Sequence, residues 1–195
     1  MKANEYFDSV AQTYNKNRTS GIHGYFANKE MKLILKMLDV KKNEEILDAG
    51  CGSGLYSKII KDLKGIPYGI DLSKKMIENL KKNNIKGEVA NLENFNLNKK
   101  FDKVLCVGAF EFLQNQENAV KSIKKHLKKN CEFILLYPRR SLFGIIYFMY
   151  HFILHGIKIK LFNKKLISLL EKNDFNIIDL KKADLFTNVI KVRIY

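Results

Sequence analysis

The sequence predicts an α/β protein with a mostly parallel, doubly wound sheet covered by helices on both faces. Three observations carry this. Short apolar runs that read as buried strands alternate with segments whose apolar residues recur every three to four positions, the pattern of βαβ units. The run Glu45-Ile46-Leu47-Asp48-Ala49 passes directly into Gly50, Gly52 and Gly54, and then into a helix marked by Leu55, Ile59, Ile60 and Leu63. A second apolar run, Ile66–Ile70, ends at Asp71, about 20 residues beyond the turn. Strand, glycine turn and helix in this order make a nucleotide-binding turn, because the backbone must turn sharply and let a ligand approach where a Cβ would stand. Short glycine patterns also occur in ordinary strand–helix loops. Asp71 favours the nucleotide, since an acid there can accept both ribose hydroxyls.

The elements follow in order. Ala3, Tyr6, Phe7, Val10, Ala11 and Tyr14 share one face of an amphipathic helix over 3–16, and Ile34, Met37 and Leu38 are the inward residues of a second helix over 25–38. After the first strand, the glycine turn, a helix over 55–64 and the second strand, Ser73 caps a helix that buries Met76, Ile77 and Leu80. Gly87–Ala90 is a third strand ending at Asn91-Leu92-Glu93, and an Asn-rich loop leads to the fourth, Phe101–Val107. Ala119, Val120, Ile123 and Leu127 mark a helix, and Cys131–Leu136 a fifth strand ended by Tyr137-Pro138. A helix over 164–173 precedes two strands, Phe175–Lys181 and Val189–Tyr195, joined by Ala183–Asn188. In sheets of this kind ligands sit outside the carboxyl ends of the strands, where strand order reverses. Asp48, Asp71 and Asn91 all fall at such ends.

Two residues speak against a dinucleotide. Leu55 stands where a third glycine is wanted, and Asp48 places a carboxylate beside the turn, favouring a cationic ligand. The segment Ile46–Gly54, together with Gly69-Ile70-Asp71-Leu72-Ser73, resembles the first two motifs of class I S-adenosylmethionine-dependent methyltransferases. Tyr6-Phe7-Asp8-Ser9-Val10-Ala11-Gln12-Thr13-Tyr14 resembles the opening helix of the ubiquinone/menaquinone-type small-molecule members, and the match runs over about residues 5–138. The resemblance implies a Rossmann-like seven-stranded sheet closed by a C-terminal antiparallel hairpin. It implies S-adenosylmethionine as cofactor, with S-adenosylhomocysteine as product. Asp48, Ala49, Gly50, Cys51, Gly52 and Gly54 would hold the methionine end, Asp71 the ribose with Leu72 and Met76 beside it, Asn91 and Leu92 the adenine, and Val107 and Gly108 the cofactor's flank. Asn91 replaces the family's usual acid, and its side-chain oxygen can accept the adenine amine's hydrogen bond without charge. Phe112 replaces a histidine common in the segment after the fourth strand, so no base carries over, and a phenylalanine there reads as core. Residues of about 3–38 would cover the pocket, with Tyr14 and the turn Thr19–Gly24 as lid residues.

At 195 residues and 46% hydrophobic, the chain suits one domain with one buried core. The net charge of +15 suggests nucleic acid or an anionic surface, but it comes mostly from scattered lysines, with Arg18, Arg139, Arg140 and Arg193 the arginines. Solvated lysine faces explain it as well. Cys51, Cys106 and Cys131 show neither metal-ligand spacing nor a disulfide framework, so a reduced, cytoplasmic protein without a bound metal is expected, and Met1–Glu5 does not open a signal peptide.

Residues of about 139–162 form an insertion after the fifth strand, rich in apolar residues and too short to span a bilayer. Basic residues flank it: Arg139, Arg140, Lys158, Lys160, Lys164 and Lys165. It reads either as an apolar cap over the pocket or against a second subunit, or as a peripheral membrane contact. Because the fifth strand ends on the cofactor side, Phe143, Ile146, Tyr147, Tyr150 and Leu154 are expected to wall the acceptor pocket. A general base, where the acceptor needs one, would come from His23, His151, His155, Tyr6 or Tyr14. His151 and His155 share a helical face, which would suit a metal, but no third ligand is evident. The expected partner is a small apolar or amphiphilic acceptor met by a monomer or homodimer. Against RNA methylation stand the absence of an Asn-Pro-Pro-Tyr-like motif, of a Pro-Cys nucleophile and of an appended RNA-binding module. A protein that binds the cofactor without turnover fits the same glycine turn, whereas Asp48, Leu55 and the terminal hairpin disfavour a nicotinamide enzyme.

Overall fold

The computed structural model describes residues 3–11, 21–156 and 158–194. Its elements run α1 (Ala3–Val10), α2 (Gly21–Leu38), β1 (Glu45–Ala49), α3 (Leu55–Asp62), β2 (Ile66–Asp71), α4 (Lys74–Lys82), β3 (Lys86–Val89) and β4 (Phe101–Val107). A 3-10 turn at Phe110–Phe112 leads to α5 (Gln116–Lys125), β5 (Leu127–Pro138), α6 (Leu142–His155), α7 (Lys164–Lys172), β6 (Phe175–Lys182) and β7 (Thr187–Ile194). The strands form one seven-stranded sheet in the order β3-β2-β1-β4-β5-β7-β6. The first five are parallel, and β7 pairs antiparallel with both β5 and β6. The expected fold, terminal hairpin included, is the observed one.

Alternation along the strands builds the two layers, since successive side chains point to opposite faces. Val104, Cys106, Phe133 and Leu135 join the cluster under α5 and α7, with Ala119, Val120, Ile123, Leu166 and Leu170. Their neighbours Leu105, Val107, Ile134 and Leu136 face α2 and α3, against Ile34, Leu38, Tyr56 and Ile60. Strand order reverses between β1 and β4, so a crevice opens at their carboxyl ends. Glu132 ties the antiparallel half together, accepting from Lys191 at 2.8 Å and Arg193 at 2.7 Å on β7.

Three boundaries differ from the sequence reading, each for a physical reason. α2 begins at Gly21, so Gly21–Gly24 is helical rather than a turn. Two glycines and a low intrinsic propensity hid that start, while Gly24 is buried, so packing supplies what propensity does not. α5 ends at Lys125 and Leu127 belongs to β5, which pairs with Phe101 there before the register slips and resumes at Glu132 opposite Lys103. The slip follows Asn130, whose φ of 59° breaks the extended run in a polar stretch that reads as a loop. α1 ends at Val10 with Ala11 in a turn, short of the helix expected over 3–16; residues 12–16 lie outside the described residues, and so do residues 19 and 20 of the lid turn.

Ser73 caps α4 as expected, its hydroxyl accepting from Met76 N–H at 3.2 Å. That cap orients α4 so that Leu80, fully buried, enters a slot lined by glycines from three elements. A Cβ at Gly54 would stand 2.5 Å from Leu80 Cδ1, and one at Gly69 would stand 2.6 Å from Cδ2. One at Gly87 would also stand 2.6 Å from Cδ2. Leu80→Ala should therefore destabilise the fold by about 2–5 kcal/mol, the range for truncating a buried leucine. Urea denaturation followed by circular dichroism measures it, and a loss below about 1 kcal/mol would mean that the slot collapses around the alanine.

Candidate functional site

The glycine turn is held as a rigid backbone cradle. Gly50 and Cys51 N–H groups both donate to Ile70 O, at 2.8 and 3.0 Å, which fastens the turn to the end of β2. Gly50 has φ of 78°, and a Cβ there would overlap that of Ala109 in the segment after β4. Glycine is required at this position on both counts.

Asp71 closes the other side. Its two oxygens accept from Gly52 N–H and Ser73 N–H, both at 2.9 Å, so one carboxylate joins the glycine turn to the start of α4. Burial pushes its pKa above the ordinary aspartate value, opposed by the N–H donors of Ser73, Gly52 and Leu72. Asp48 is buried at the end of β1 and accepts from Ser57 Oγ of α3 at 2.6 Å. Cys51 is also buried, and desolvation first, then Asp48 and Asp71, pushes its thiol well above its ordinary pKa. It packs there as a neutral thiol.

A cavity of about 720 Å³ opens above this cradle. Of the residues expected to hold the cofactor, Asp48, Gly50, Cys51, Gly52, Asp71, Leu72, Met76, Asn91, Leu92, Val107 and Gly108 line it. Ala49 and Gly54 are buried and outside that lining, Gly54 serving as the residue from which α3 starts. Asn91 stands at the wall, but its Oδ1 already accepts from Glu93 N–H at 3.0 Å, so one lone pair is left for a ligand. Tyr14 lies outside the described residues, as do the side chains of Tyr6, His23, His151 and His155.

The sequence reading passed over much of the opposite wall. Phe112 is a wall residue rather than core: it lines the cavity, edge-on to Phe7 of α1 at 5.2 Å between ring centroids. Glu111 lines it too while only 3% exposed. A buried acid on a cavity wall is a functional signal visible only once burial is known. The insertion contributes differently from expectation. Its wall residues are Gly156, Lys158, Ile159 and Lys160, the return segment after α6, whereas Phe143, Ile146, Tyr147, Tyr150 and Leu154 are outside the lining. Backbone bonds aim that segment: Lys160 N–H donates to Glu111 O at 2.9 Å, and Phe162 N–H to Pro138 O at 3.0 Å. Lys160 Nζ reaches Gln114 O at 2.6 Å and Gln116 Oε1 at 2.9 Å.

α1 lies beside α4 at the edge of the cavity. Asp8 accepts from Ser73 Oγ, and Asn79 of α4 donates to Ala11 O at 3.2 Å. With Phe7 on Phe112, the first helix thereby touches both α4 and the segment after β4.

A family model described as a methyltransferase domain matches residues 47–135, the stretch from β1 into β5 that holds the cradle, Asp71 and Glu111. A ubiquinone biosynthesis O-methyltransferase of Pelagibacter ubique is 40% identical over 95 residues, 46% of this chain and 40% of that protein. A malonyl-acyl-carrier-protein O-methyltransferase 2 of Ilyobacter polytropus is 29% identical over 136 residues, 65% of this chain and 50% of that protein. The chain thus spans half or less of the length of these curated relatives. The magnesium protoporphyrin IX methyltransferase of Synechocystis PCC 6803, with S-adenosylhomocysteine bound, superposes with a TM-score of 0.78 at 15% identity, covering 98% of each chain. The N-methyltransferase NodS of Bradyrhizobium japonicum WM9, in complex with the same product, gives 0.78 at 12% identity, covering 99% of this chain and 98% of that one. At such identities the likeness is one of fold.

The cradle generates its own test. Gly50→Ala should cost about 1–3 kcal/mol of stability, from the left-handed backbone and the overlap with Ala109 together. Thermal melting measures this, and an unchanged midpoint would mean that the segment after β4 yields freely.

Proposed function

We propose that this chain is a class I S-adenosylmethionine-dependent methyltransferase, which binds S-adenosylmethionine in the cavity above its glycine turn and methylates a small apolar or amphiphilic acceptor. The observation that carries the reading is Asp71, a partly desolvated carboxylate at the end of β2, fixed between the turn and the start of α4 and one strand away from the reversal of strand order. The residues present fit this cofactor. A carboxylate at Asp48 suits a cationic ligand, one at Asp71 suits a ribose diol, and the Gly50 backbone lets a ligand approach where a side chain would block it. A cavity of about 720 Å³ lies within the usual range for a ligand of this size.

The roles follow the resemblance. Asp48 with Gly50, Cys51 and Gly52 holds the methionine end, and Asp71 takes the ribose hydroxyls, flanked by Leu72 and Met76. Leu92 and the remaining lone pair of Asn91 meet the adenine, and Val107 and Gly108 close the flank. When bound, the cofactor supplies an electrophilic methyl group whose leaving group is a neutral thioether, so alignment of the acceptor provides much of the acceleration. The chain's own task is to hold and align. Phe7, Phe112, Leu113 and Ile159 give the acceptor apolar walls, and Lys158 offers a charge at the rim. Where the acceptor loses a proton, Glu111 takes it, a buried acid beside Phe112 on that wall; Glu93, the other glutamate lining the cavity, already accepts from Gln114 N–H at 2.7 Å. The protein acts in the cytoplasm as a monomer or homodimer, with peripheral contact to a membrane through its insertion.

The charge of +15 favours a second reading, in which RNA is the acceptor. Contact through scattered lysines would be salt-labile and blind to sequence. A salt-resistant, sequence-selective complex would put RNA first.

Asp71→Ala should weaken S-adenosylmethionine binding by about 1.5–3 kcal/mol, the range for hydrogen bonds to a charged group. Calorimetry decides this, and tighter binding of NAD than of S-adenosylmethionine would overturn the assignment. Because the Asp71 pKa is raised, its charged form is lost at a higher pH than for an ordinary aspartate. Affinity should therefore fall as pH drops through that raised value, and Asp71→Asn should flatten the profile. Glu111→Gln should lower the transfer rate by about 10²–10⁴-fold, the usual share of a general base, with cofactor affinity unchanged. Equal loss of binding and turnover would instead make Glu111 part of the cofactor site.

A further inference from the structure

We infer that α6 is a docking element for an anionic phospholipid bilayer, lying in the headgroup region with its apolar side among the acyl chains. This deepens the membrane contact proposed above and rests on a surface separate from the cofactor site.

α6 carries its apolar residues outward. Leu142 is 72% exposed, Ile153 68%, Leu154 62%, Ile146 54% and Ile145 50%. At about 100° per residue these positions spread over roughly half of the helix circumference. A seam with another protein helix uses a narrower stripe, whereas a fluid apolar phase covers a half-cylinder. The helix is held to the protein on the side where Gly144 is buried, with Tyr147 at the border of the outward arc meeting Phe186 of the β6–β7 loop at 6.3 Å between ring centroids; Phe143, 40% exposed within that arc, reaches the same ring at 6.1 Å. Its 14 residues extend about 21 Å, short of a bilayer's hydrocarbon core, and among the described residues no helix is long and apolar enough to cross a membrane. An orientation in the plane of the interface is what this length allows.

The charge around α6 selects anionic lipid. From Arg139 to Leu170 the chain has no Asp or Glu, and from Ser141 to Ile157 no charged residue of either sign. Exposed Arg140 precedes the helix, and exposed Lys158, Lys164 and Lys165 follow it. Lys164 and Lys165 occupy the first turn of α7, where the helix dipole favours acids, so local helix stability does not account for them. A basic border around an uncharged apolar helix complements anionic headgroups above acyl chains. Gly156 and Lys158–Lys160, which follow α6, belong to the cavity wall. Docking thus sets the cavity beside the bilayer, from which an apolar acceptor would enter without crossing water.

The test is co-sedimentation of the full chain with vesicles of phosphatidylcholine alone and of phosphatidylcholine mixed with phosphatidylglycerol. Binding is expected on the mixed vesicles and weakly or not at all on the neutral ones. Ile145→Glu with Ile153→Glu should lower binding at least about tenfold. Lys164→Glu with Lys165→Glu should lower it about tenfold or more on mixed vesicles only, at about 1 kcal/mol per charge. An unchanged melting midpoint and calorimetric affinity for S-adenosylhomocysteine establish that both variants fold. No binding of the unsubstituted chain to mixed vesicles overturns the inference. So does binding that Ile145→Glu with Ile153→Glu leaves intact, which would be diffuse lysine adhesion. A dimer in sedimentation equilibrium that the same pair splits, with no vesicle binding, assigns the surface to a second copy and also overturns it. Loss of vesicle binding with intact S-adenosylhomocysteine binding sinks the docking alone. Vesicle binding by a chain that fails to bind S-adenosylhomocysteine sinks the methyltransferase reading alone.

Discussion

The insertion of Leu80 into a slot of glycines is the contact on which the glycine-turn side of the molecule depends. One side chain simultaneously fills the space left open at Gly54 in the turn, at Gly69 in β2 and at Gly87 in β3. The absence of three Cβ atoms draws α4, two strands and the turn into a single close-packed unit. Interiors at crystal-like density transmit such constraints, because a shift of one member is a clash or a void for the others. The position of α4 thereby sets the position of Ser73, and Ser73 N–H in turn holds one oxygen of Asp71. Packing on the far side of the sheet edge fixes the direction of a carboxylate on the near side.

Polar groups extend that chain of constraint across the cavity. Asp71 bridges the turn and α4, Ser73 donates to Asp8 of α1, and Phe7 of the same helix rests on Phe112 beyond β4. The return segment approaches from the other side and is fastened to Glu111 and Gln114 through its backbone and its lysine. Both walls of the cavity are therefore supplied by segments attached to the sheet through a few hydrogen bonds, while the floor belongs to the core. Such attachments open at lower free energy than a core does, and access to a cavity demands that.

Much of this was legible in the sequence because it rests on local rules. The strand periods, the Ser73 cap, the glycine turn and the acid at the end of the second strand each follow from neighbours along the chain. What escaped depends on contacts distant in sequence. Gly24 sits in a helix its propensity disfavours because it is buried, and β5 starts early because a slip at Asn130 preserves the pairing of Leu127 with Phe101. Asn91 was legible as a cavity residue, but not the bond from Glu93 that uses one of its lone pairs. Phe112 reads as core from its type alone; its place on the wall follows from the approach of Phe7. The insertion was recognised as apolar, yet which part of it reaches the cavity is settled by the bond from Lys160 to Glu111, some fifty residues away in sequence.

The placement of β7 between β5 and β6 has a bearing on how the protein is made. Every strand up to β5 can find its neighbours as it leaves the ribosome, but β5 keeps one edge unpaired until Thr187–Ile194 has been synthesised. That edge includes Phe133, Ile134, Leu135 and Leu136, an aromatic and β-rich run of the kind that templates strand addition between chains. β6 is made first, but in the finished sheet it pairs with β7 and not with β5. A nascent chain stalled before Thr187 would thus hold a nearly complete parallel half beside an adhesive sheet edge, and its escape from aggregation would rest on β7 reaching an interior position in time.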